Sequence, residues 1–548
     1  MTRFTSLLLA AAGLTALLPA PADAKERRPN FLVIVADDLG YSDIGAFGGE
    51  IATPNLDRLA LAGIRLAGFH TAPTCSPTRS MLMSGTDNHL AGLGTMAELI
   101  RPNQKDKPGY EGYLRRDVAT IAERLSEGGY RTLFSGKWHL GLTPDQDPHA
   151  RGFARSFALL QGGHNHFGTD ADPDKEGAAT YTEQGKRVPK LPADFYSSDY
   201  FESRLIGFLG EPAPASGQPF FAYLAFTAPH WPLQAHPQDI ARYKGRYDEG
   251  FDVLRQQRLA RQRELGVLAP DVVPHTPRNR DGSWDSLTAG QQRVAARNME
   301  IYAAMVDRLD QNVGRVITAL RASGELDNTI IIFLADNGAE ALDVETTGAE
   351  MLSRNLKTAD NGFENRGAST SYITYGAGWA QAATAPSWLT KGYQSEGGTR
   401  AVAFISGTGI PRREGAETQF LSVADIAPTL LELAGLDAST TRVEGRTVRP
   451  ITGRSWAAWL SNPAARIYGP GDGFGSELFG SRAYRQGEWK LSDIGDGVWR
   501  LFDIARDPGE TRDLSLAEPT RHEALSAAWD RYAREVGIVA PDTIPYRP

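Results

Sequence analysis

The chain has 548 residues, of which 41% are hydrophobic and 23% are charged, and its formal net charge is -8. This composition is sufficient for a sizeable core and excludes an intrinsically disordered chain. The modest acidic balance also argues against nucleic-acid binding, which requires a basic face that displaces counterions. The length predicts more than one domain, or one large domain with an appendage. A local basic run at Arg255–Arg263 is predicted to be a solvated helix face.

The first residues have the pattern of a secretory signal peptide. Arg3 precedes an apolar run at Leu7–Leu18, and a small-x-small motif ends at Ala24, which predicts a signal peptide at residues 1–24. The apolar run is shorter than the ~20 residues of a membrane-spanning helix, so we expect no stable membrane insertion. The sequence therefore predicts an exported protein, which is periplasmic in a host with two membranes and secreted otherwise.

The remaining chain alternates predicted strands with predicted helices. The predicted strands are apolar runs at Asn30–Ala36, Thr132–Ser135, Phe220–Phe226, Thr329–Ala335 and Ala401–Ile405. The predicted helices are Thr53–Ala62, Asp117–Glu127, Gln291–Ala322 and Val423–Ala434. This alternation predicts an α/β fold in which a large mixed, mostly parallel sheet is sandwiched by helices.

The pattern changes near Gly475. Two segments, Arg482–Leu491 and Val498–Asp503, are predicted to form antiparallel strands, and Glu518–Val536 is predicted to be a helix. We therefore predict an α/β domain at residues 25–474 and a smaller C-terminal α+β subdomain at residues 475–548.

The chain contains a single cysteine, Cys75, which cannot form a disulfide within the chain. A lone cysteine is most simply an inert buried thiol. This one, however, begins the segment C-S-P-T-R at Cys75–Arg79, at the predicted start of a helix, where backbone N–H groups favour a bound anion. Its position favours a reactive cysteine.

Polar residues directly follow two of the predicted strands. Asp37 and Asp38 follow one strand, and Asp336 and Asn337 follow another. Because ligands of α/β sheets bind outside the carboxyl ends of the strands, we expect these four side chains to share one site. Carboxylate and amide oxygens select a hard cation, calcium or magnesium, over zinc or another transition metal.

Five basic side chains are candidates for the same site, although each could be a surface charge or a structural histidine. Arg79 lies one helical turn after the cysteine, and Lys137 and His139 follow a third predicted strand. His230 follows a fourth strand, between a proline and a tryptophan, and Lys391 precedes a glycine-rich loop. One histidine could act on the nucleophile while the other protonates the leaving oxygen.

The site motifs are D-D at Asp37–Asp38, C-S-P-T-R at Cys75–Arg79, G-K-W-H-L-G at Gly136–Gly141, A-P-H-W-P at Ala228–Pro232, D-N-G at Asp336–Gly338, and Lys391. This set resembles the formylglycine-dependent type I sulfatases of the alkaline phosphatase-like superfamily, in particular the bacterial arylsulfatases of the Pseudomonas type. The resemblance extends over essentially the whole chain after about Pro29, and no motif position departs from it.

The resemblance implies that a maturation enzyme oxidises Cys75 to formylglycine (3-oxoalanine). In the hydrated aldehyde, one hydroxyl attacks the sulfur and releases the alcohol, and the other then expels sulfate. It further implies one calcium ion bound by Asp37, Asp38, Asp336, Asn337 and the modified Cys75, with Asp336 as a candidate base for the attacking hydroxyl.

The resemblance also implies roles for the basic residues. Arg79 would hold the formylglycine and its helical turn in place, and Lys137 and Lys391 would contact the sulfate oxygens. His139 would assist the formylglycine hydroxyl, and His230 would bind the substrate and act on its leaving group. The implied reaction converts an aryl sulfate and water into a phenol and inorganic sulfate.

Two other functions fit part of the sequence. The first is a phosphonate or phosphate ester hydrolase of the same superfamily, although one hard-cation site with lysines favours the less highly charged sulfate. The second is a non-catalytic exported protein that binds sulfated ligands. Such a protein would retain the basic residues but would not need Cys75 in this context.

Overall fold

Strands and helices alternate along the computed structural model, which describes residues 27–171, 177–213, 215, 217–277, 282–346 and 355–544. The predicted signal peptide, residues 1–24, lies outside the described residues. The strands are β1 (Asn30–Ala36), β2 (Ile64–Leu66), β3 (Phe69–His70), β4 (Arg131–Lys137), β5 (Arg155–Leu159), β6 (Tyr181–Glu183), β7 (Lys186–Arg187), β8 (Phe220–Ala225), β9 (Thr329–Ala335), β10 (Ala403–Gly407), β11 (Ala416–Glu417), β12 (Leu421–Ser422), β13 (Arg442–Val443), β14 (Arg446–Thr447), β15 (Gly473–Leu478), β16 (Ser481–Gln486), β17 (Trp489–Asp493) and β18 (Arg500–Asp503).

The α-helices are α1 (Pro54–Ala62), α2 (Cys75–Ser84), α3 (Asn88–Ala91), α4 (Ile121–Glu127), α5 (Ser197–Gly210), α6 (Pro237–Ala241), α7 (Gly250–Glu264), α8 (Ala289–Ala322), α9 (Ala377–Ala383), α10 (Glu396–Thr399), α11 (Ile426–Leu433), α12 (Ala457–Ser461) and α13 (Pro519–Val536). Within the described ranges, no helix has both the length and the apolar character needed to cross a membrane.

Ten strands form the main sheet, in the order β11-β2-β10-β9-β1-β8-β4-β5-β6-β7. The five central strands, β9, β1, β8, β4 and β5, are parallel, whereas β10 and β6 pair antiparallel at their flanks. Every residue of β1 and β9 is buried, as expected for continuous apolar strands covered on both faces. The predicted α/β class with a mixed, mostly parallel sheet is confirmed.

Most predicted elements of the main sheet lie where the sequence places them, and β1 and β9 have the predicted bounds. The predicted helix at Asp117–Glu127 begins too early, because α4 starts at Ile121. Thr120 caps this helix by accepting a hydrogen bond from the Glu123 amide, while the Asp117 carboxylate instead binds Arg115. A threonine with a glutamate three residues later is a capping box, and this signal marks the true start.

The C-terminal strands β15–β18 form a separate sheet, and its predicted antiparallel pairing is confirmed. The predicted segment Arg482–Leu491 is, however, two strands, β16 and β17, joined by a turn at Gly487, and β15 is not predicted from the sequence. Helix α13 packs against this sheet, where Leu491, Leu501 and Leu525 form a small core and the rings of Trp499 and Trp529 lie 5.5 Å apart. Because β15 begins at Gly473, the structural change lies close to the predicted boundary, and the division into two domains at residue 475 stays a prediction.

The predicted solvated face at Arg255–Arg263 is wrong for two of its arginines. Arg255 and Arg258 are buried, and the Arg258 guanidinium donates hydrogen bonds to Asp43 and Glu50 at 2.6 and 2.8 Å. The acids that neutralise this arginine lie more than 200 positions earlier in the chain, so the local charge pattern could not indicate its burial.

Candidate active site

The predicted polar residues at the carboxyl ends of the central strands lie together at one edge of the sheet. Ala36 of β1 pairs with Ala335 of β9, so Asp37 and Asp336 leave the sheet side by side. Lys137 is the last residue of β4, which is separated from β1 by β8 alone. The common parallel direction of these strands therefore explains why residues from distant motifs meet.

Helix α2 brings the cysteine to the same edge of the sheet. Cys75 is its first residue, and the Arg79 guanidinium one turn later is fully buried. Arg79 donates from Nη2 and Nε to Asp336 Oδ2 at 2.8 and 3.0 Å, and from Nη1 to the Lys137 carbonyl oxygen at 2.9 Å. This one side chain thus ties α2 to the ends of both β9 and β4.

The Cys75 thiol faces the carboxylates. Its Sγ donates to Asp37 Oδ1 at 3.4 Å and lies 3.9 Å from Asp38 Oδ1. Burial raises the pKa of the Cys75 thiol well above its usual value, despite the nearby Lys137 and Lys391 ammonium groups. An unmodified thiol at this position stays protonated and is a weak nucleophile, because the thiolate is the reactive form.

The four predicted oxygen-bearing ligands, Asp37, Asp38, Asp336 and Asn337, are all buried at this site. Asn337 Nδ2 donates to Asp38 Oδ1 at 2.7 Å, whereas Asn337 Oδ1 has no hydrogen-bond partner among the described residues. A buried oxygen without a donor is the kind of atom that a hard cation satisfies. The donor set therefore fits calcium or magnesium.

A second grouping of side chains could also contact a metal ion. Asp37, Asp38, Cys75 and His230 each place a possible ligand atom within 4.8 Å of the others. Asp336 is not part of that group; its Oδ2 accepts from Arg79, and its Oδ1 accepts from the Asp38 amide at 3.2 Å.

Both predicted lysines contact the aspartates. Lys137 Nζ donates to Asp37 Oδ2 at 2.6 Å, and Lys391 Nζ lies 2.8 Å from Asp38 Oδ1 and 3.2 Å from Glu340 Oε2. Burial disfavours charge on Asp38, but Lys391 and the other nearby basic groups hold the pKa of this carboxyl well below its usual range. The buried acids of the site are therefore matched by buried cations.

The two predicted histidines border the site. His230 Nε2 lies 3.6 Å from Asp38 Oδ2, and burial lowers the pKa of His230 well below its usual value despite that carboxylate. His139 has a positive φ of 57°, and its Nε2 lies 3.1 Å from Glu98 Oε1. Burial therefore favours the neutral form of His230, whereas His139 has a carboxylate partner.

Four further residues lie in the site region although none of the predicted motifs includes them, namely Glu98, Gly162, Gly163 and Glu340. A Cβ atom added to Gly162 would lie 2.5 Å from His139 Cε1, and one added to Gly163 would lie 2.9 Å from His230 Cε1. The two glycines follow β5, and the Gly-Gly pair after a strand was an available signal. Glu98 lies in a loop that no motif marks.

A sequence profile of the Sulfatase family matches residues 29–436, more than half of the chain. The chain belongs to the sulfatase family. This sulfatase is 47% identical over 535 residues to an uncharacterised sulfatase of Schizosaccharomyces pombe, covering 95% of this chain and 96% of that protein. It is 41% identical over 440 residues to an arylsulfatase of Klebsiella aerogenes, covering 79% of this chain and 92% of that protein.

The fold of this sulfatase also matches solved structures. The crystal structure of Ps i-CgsB in complex with k-i-k-neocarrahexaose superposes with a TM-score of 0.66 at 24% identity and covers 95% of both chains. The family match and the 41% identity to an arylsulfatase confirm the predicted resemblance to the type I sulfatases, and the protein is an enzyme that hydrolyses sulfate esters.

Proposed function

We propose that this sulfatase hydrolyses aryl sulfates to a phenol and inorganic sulfate, with residue 75 acting as formylglycine. The observation that carries the proposal is the position of Cys75, the sole cysteine of the chain, at the start of α2 and 3.4 Å from Asp37 Oδ1. The name of the Klebsiella aerogenes relative, an arylsulfatase, supports an aryl ester as substrate.

The environment of Cys75 supports its modification. A buried thiol with a raised pKa is unsuited to attack a sulfate ester, so the residue needs conversion before it can serve as the nucleophile. Formylglycine would supply a hydrated aldehyde, one hydroxyl of which attacks the sulfur. The unfolded chain would have to meet a maturation enzyme, because Cys75 is only 2% exposed after folding.

We propose that one calcium ion binds to Asp37, Asp38, Asp336, Asn337 and the modified residue 75. The unpartnered Asn337 Oδ1 and the all-oxygen donor set support this assignment. When bound, calcium would offset the negative charge of the sulfate oxygens and of the reacting hydroxyl.

The remaining residues would act around that centre. Arg79 holds α2 and Asp336 in place, and Lys137 and Lys391 bind the sulfate oxygens from two sides. His139 exchanges a proton with the hydroxyl of residue 75. His230 binds the substrate and would act on its leaving group, while Asp336 is the candidate base for the attacking hydroxyl.

We also propose that the protein is exported to the periplasm or the medium after removal of residues 1–24. Its Arg3, its apolar run and Ala24 support this destination. Edman sequencing of the protein recovered from its host would test it, since an N-terminus at residue 25 is expected and an intact residue 1 would contradict export.

Mass spectrometry of the tryptic peptide Leu66–Arg79 tests the modification directly. We expect an aldehyde at residue 75 in active enzyme. Cys75→Ala should abolish turnover of an aryl sulfate while leaving the fold and calcium binding largely intact, because four of the five proposed calcium ligands remain. An unmodified thiol in fully active protein would refute the nucleophile assignment. A higher kcat/KM for the matching aryl phosphate would instead favour the phosphate ester hydrolase.

A further inference from the structure

Glu98 contacts a histidine of the site although it belongs to none of the motifs. It lies in a short 3-10 turn, Ala97–Leu99, and its Oε1 and Oε2 are 3.1 and 3.5 Å from His139 Nε2. The Glu98 side chain is 37% exposed, whereas that of His139 is 9% exposed. The carboxylate thus approaches the ring from the solvent side of the site.

The His139 ring is also held by its other neighbours. The backbone at His139 is in the left-handed region, and its amide donates to the Leu160 carbonyl oxygen at 3.2 Å. Gly162 packs directly against the Cε1 edge of the ring, where even a methyl group would clash. The second ring nitrogen, Nδ1, is buried and has no hydrogen-bond partner among the described residues.

The contact with Glu98 decides which nitrogen of His139 carries the proton. Desolvation opposes charge on Glu98, but His139 and, more weakly, Lys137 lower the pKa of this carboxyl to about 2. An ionised carboxylate can only accept hydrogen bonds, so Nε2 must carry the hydrogen. In the neutral ring, the lone pair is then on the buried Nδ1.

We propose that Glu98 is a positioning residue that holds His139 with Nε2 protonated, so that the buried Nδ1 is the atom that exchanges a proton during sulfate ester hydrolysis. This inference rests on the proposed function of His139. In the reaction, Nδ1 accepts the proton of the free residue-75 hydroxyl while that oxygen forms the C=O bond of the aldehyde and the bond from the same carbon to the sulfate oxygen breaks. Nδ1 then releases the proton to water, while Nε2 keeps its proton and its bond to Glu98. Glu98 itself gains and loses no proton.

The tautomer of His139 can be measured without turnover. We would label the histidines of the full chain with ¹⁵N and record imidazole correlation spectra, identifying the His139 signals by their absence in His139→Gln. We expect a protonated Nε2 and an unprotonated Nδ1 at neutral pH, and a different pattern in Glu98→Gln. A proton on Nδ1 in the unsubstituted protein, or the same spectrum in Glu98→Gln, would overturn the proposal.

Kinetics supply a second readout. Glu98→Gln should lower kcat for an aryl sulfate roughly 10- to 100-fold, the range found when the partner of a metal-binding histidine is removed, with KM changed less than about twofold. Glu98→Asp should recover part of the loss. Glu111→Gln is the matched control, because Glu111 lies in the same loop but binds Arg115, and its kcat should be unchanged.

An unaltered kcat in Glu98→Gln would refute the positioning role, and the enzyme would remain a sulfatase by its proposed mechanism. If the unsubstituted enzyme failed to hydrolyse aryl sulfates, the proposed function would fail instead. The spectra would still decide the tautomer in that case, so the two failures are distinguishable.

Discussion

Gly162→Ala is a one-carbon substitution that should displace His139, the residue proposed to exchange a proton with residue 75. Gly162 packs against the edge of the His139 ring, and no positive φ is required at this glycine. Alanine can therefore adopt the same backbone conformation, and the only new feature is a methyl group directed at the histidine.

The size of the effect follows from the distances. The new Cβ would lie 2.5 Å from His139 Cε1, whereas ordinary van der Waals contact begins at 3.4 Å, so the ring must retreat by about 0.9 Å. A misplacement of about 1 Å in a catalytic group can cost about 100-fold in rate, which corresponds to roughly 2.7 kcal/mol of activation free energy. We therefore expect kcat for an aryl sulfate to fall by about that factor.

The assay compares three alanine variants by steady-state kinetics and thermal unfolding. Gly163→Ala should have a smaller effect, because its Cβ would lie 2.9 Å from His230 Cε1. Gly207→Ala in α5 is the control, since no atom lies within 4 Å of its added Cβ. Full kcat in Gly162→Ala would contradict the predicted displacement of His139. A loss of activity only in proportion to a loss of folded protein would contradict it as well.

Three other substitutions test separate parts of the molecule. Arg258→Met leaves the buried Asp43 and the partly buried Glu50 without their cation and should lower the free energy of unfolding by roughly 3–5 kcal/mol. Urea denaturation would measure this loss, and an unchanged midpoint would contradict the ion-pair assignment. Burial disfavours charge on His89, but Asp87 and Glu477 raise its pKa from 6.5 to about 9. The folded protein therefore binds this proton more tightly than the unfolded chain, so about 3 kcal/mol of stability that is present below pH 6.5 should be lost as the pH rises through 9. His89→Gln should flatten that dependence of the melting temperature on pH, and an equally steep profile would exclude His89 as its cause. Asp38→Ala should weaken calcium affinity in calorimetry and reduce turnover together, by at least about tenfold; the metal assignment is wrong if this variant and chelators both leave activity unchanged.

The sheet and the centre of the site could be predicted because both have local sequence signals. A buried parallel strand is a short apolar run, and its polar carboxyl-terminal residues are the next letters of the sequence. Asp37, Asp336 and Lys137 each end such a run. The geometry of parallel strands then brings them together without any further information.

The residues that contact the predicted histidine and lysine from outside the motifs have no such local sequence signal. Glu98 meets His139 across 41 positions, and Glu340 meets Lys391 across a long connection, so neither partner is indicated by its neighbours in sequence. The same reason explains the wrong expectation for Arg258, whose acids are supplied by the loop after β1. Local composition reports the average exposure of a segment, while burial of one charged residue depends on a partner that the fold supplies.

Two residues of the site have a strained backbone conformation. Asp38 and His139 both have positive φ, at 64° and 57°, a conformation that costs of order 1–3 kcal/mol for residues other than glycine. Each is held there by a hydrogen bond from its own amide, to Asp336 Oδ1 and to the Leu160 carbonyl oxygen. Glycine would relieve the strain but would remove the carboxylate or the imidazole. The strain at both positions is therefore opposed by these hydrogen bonds within the site.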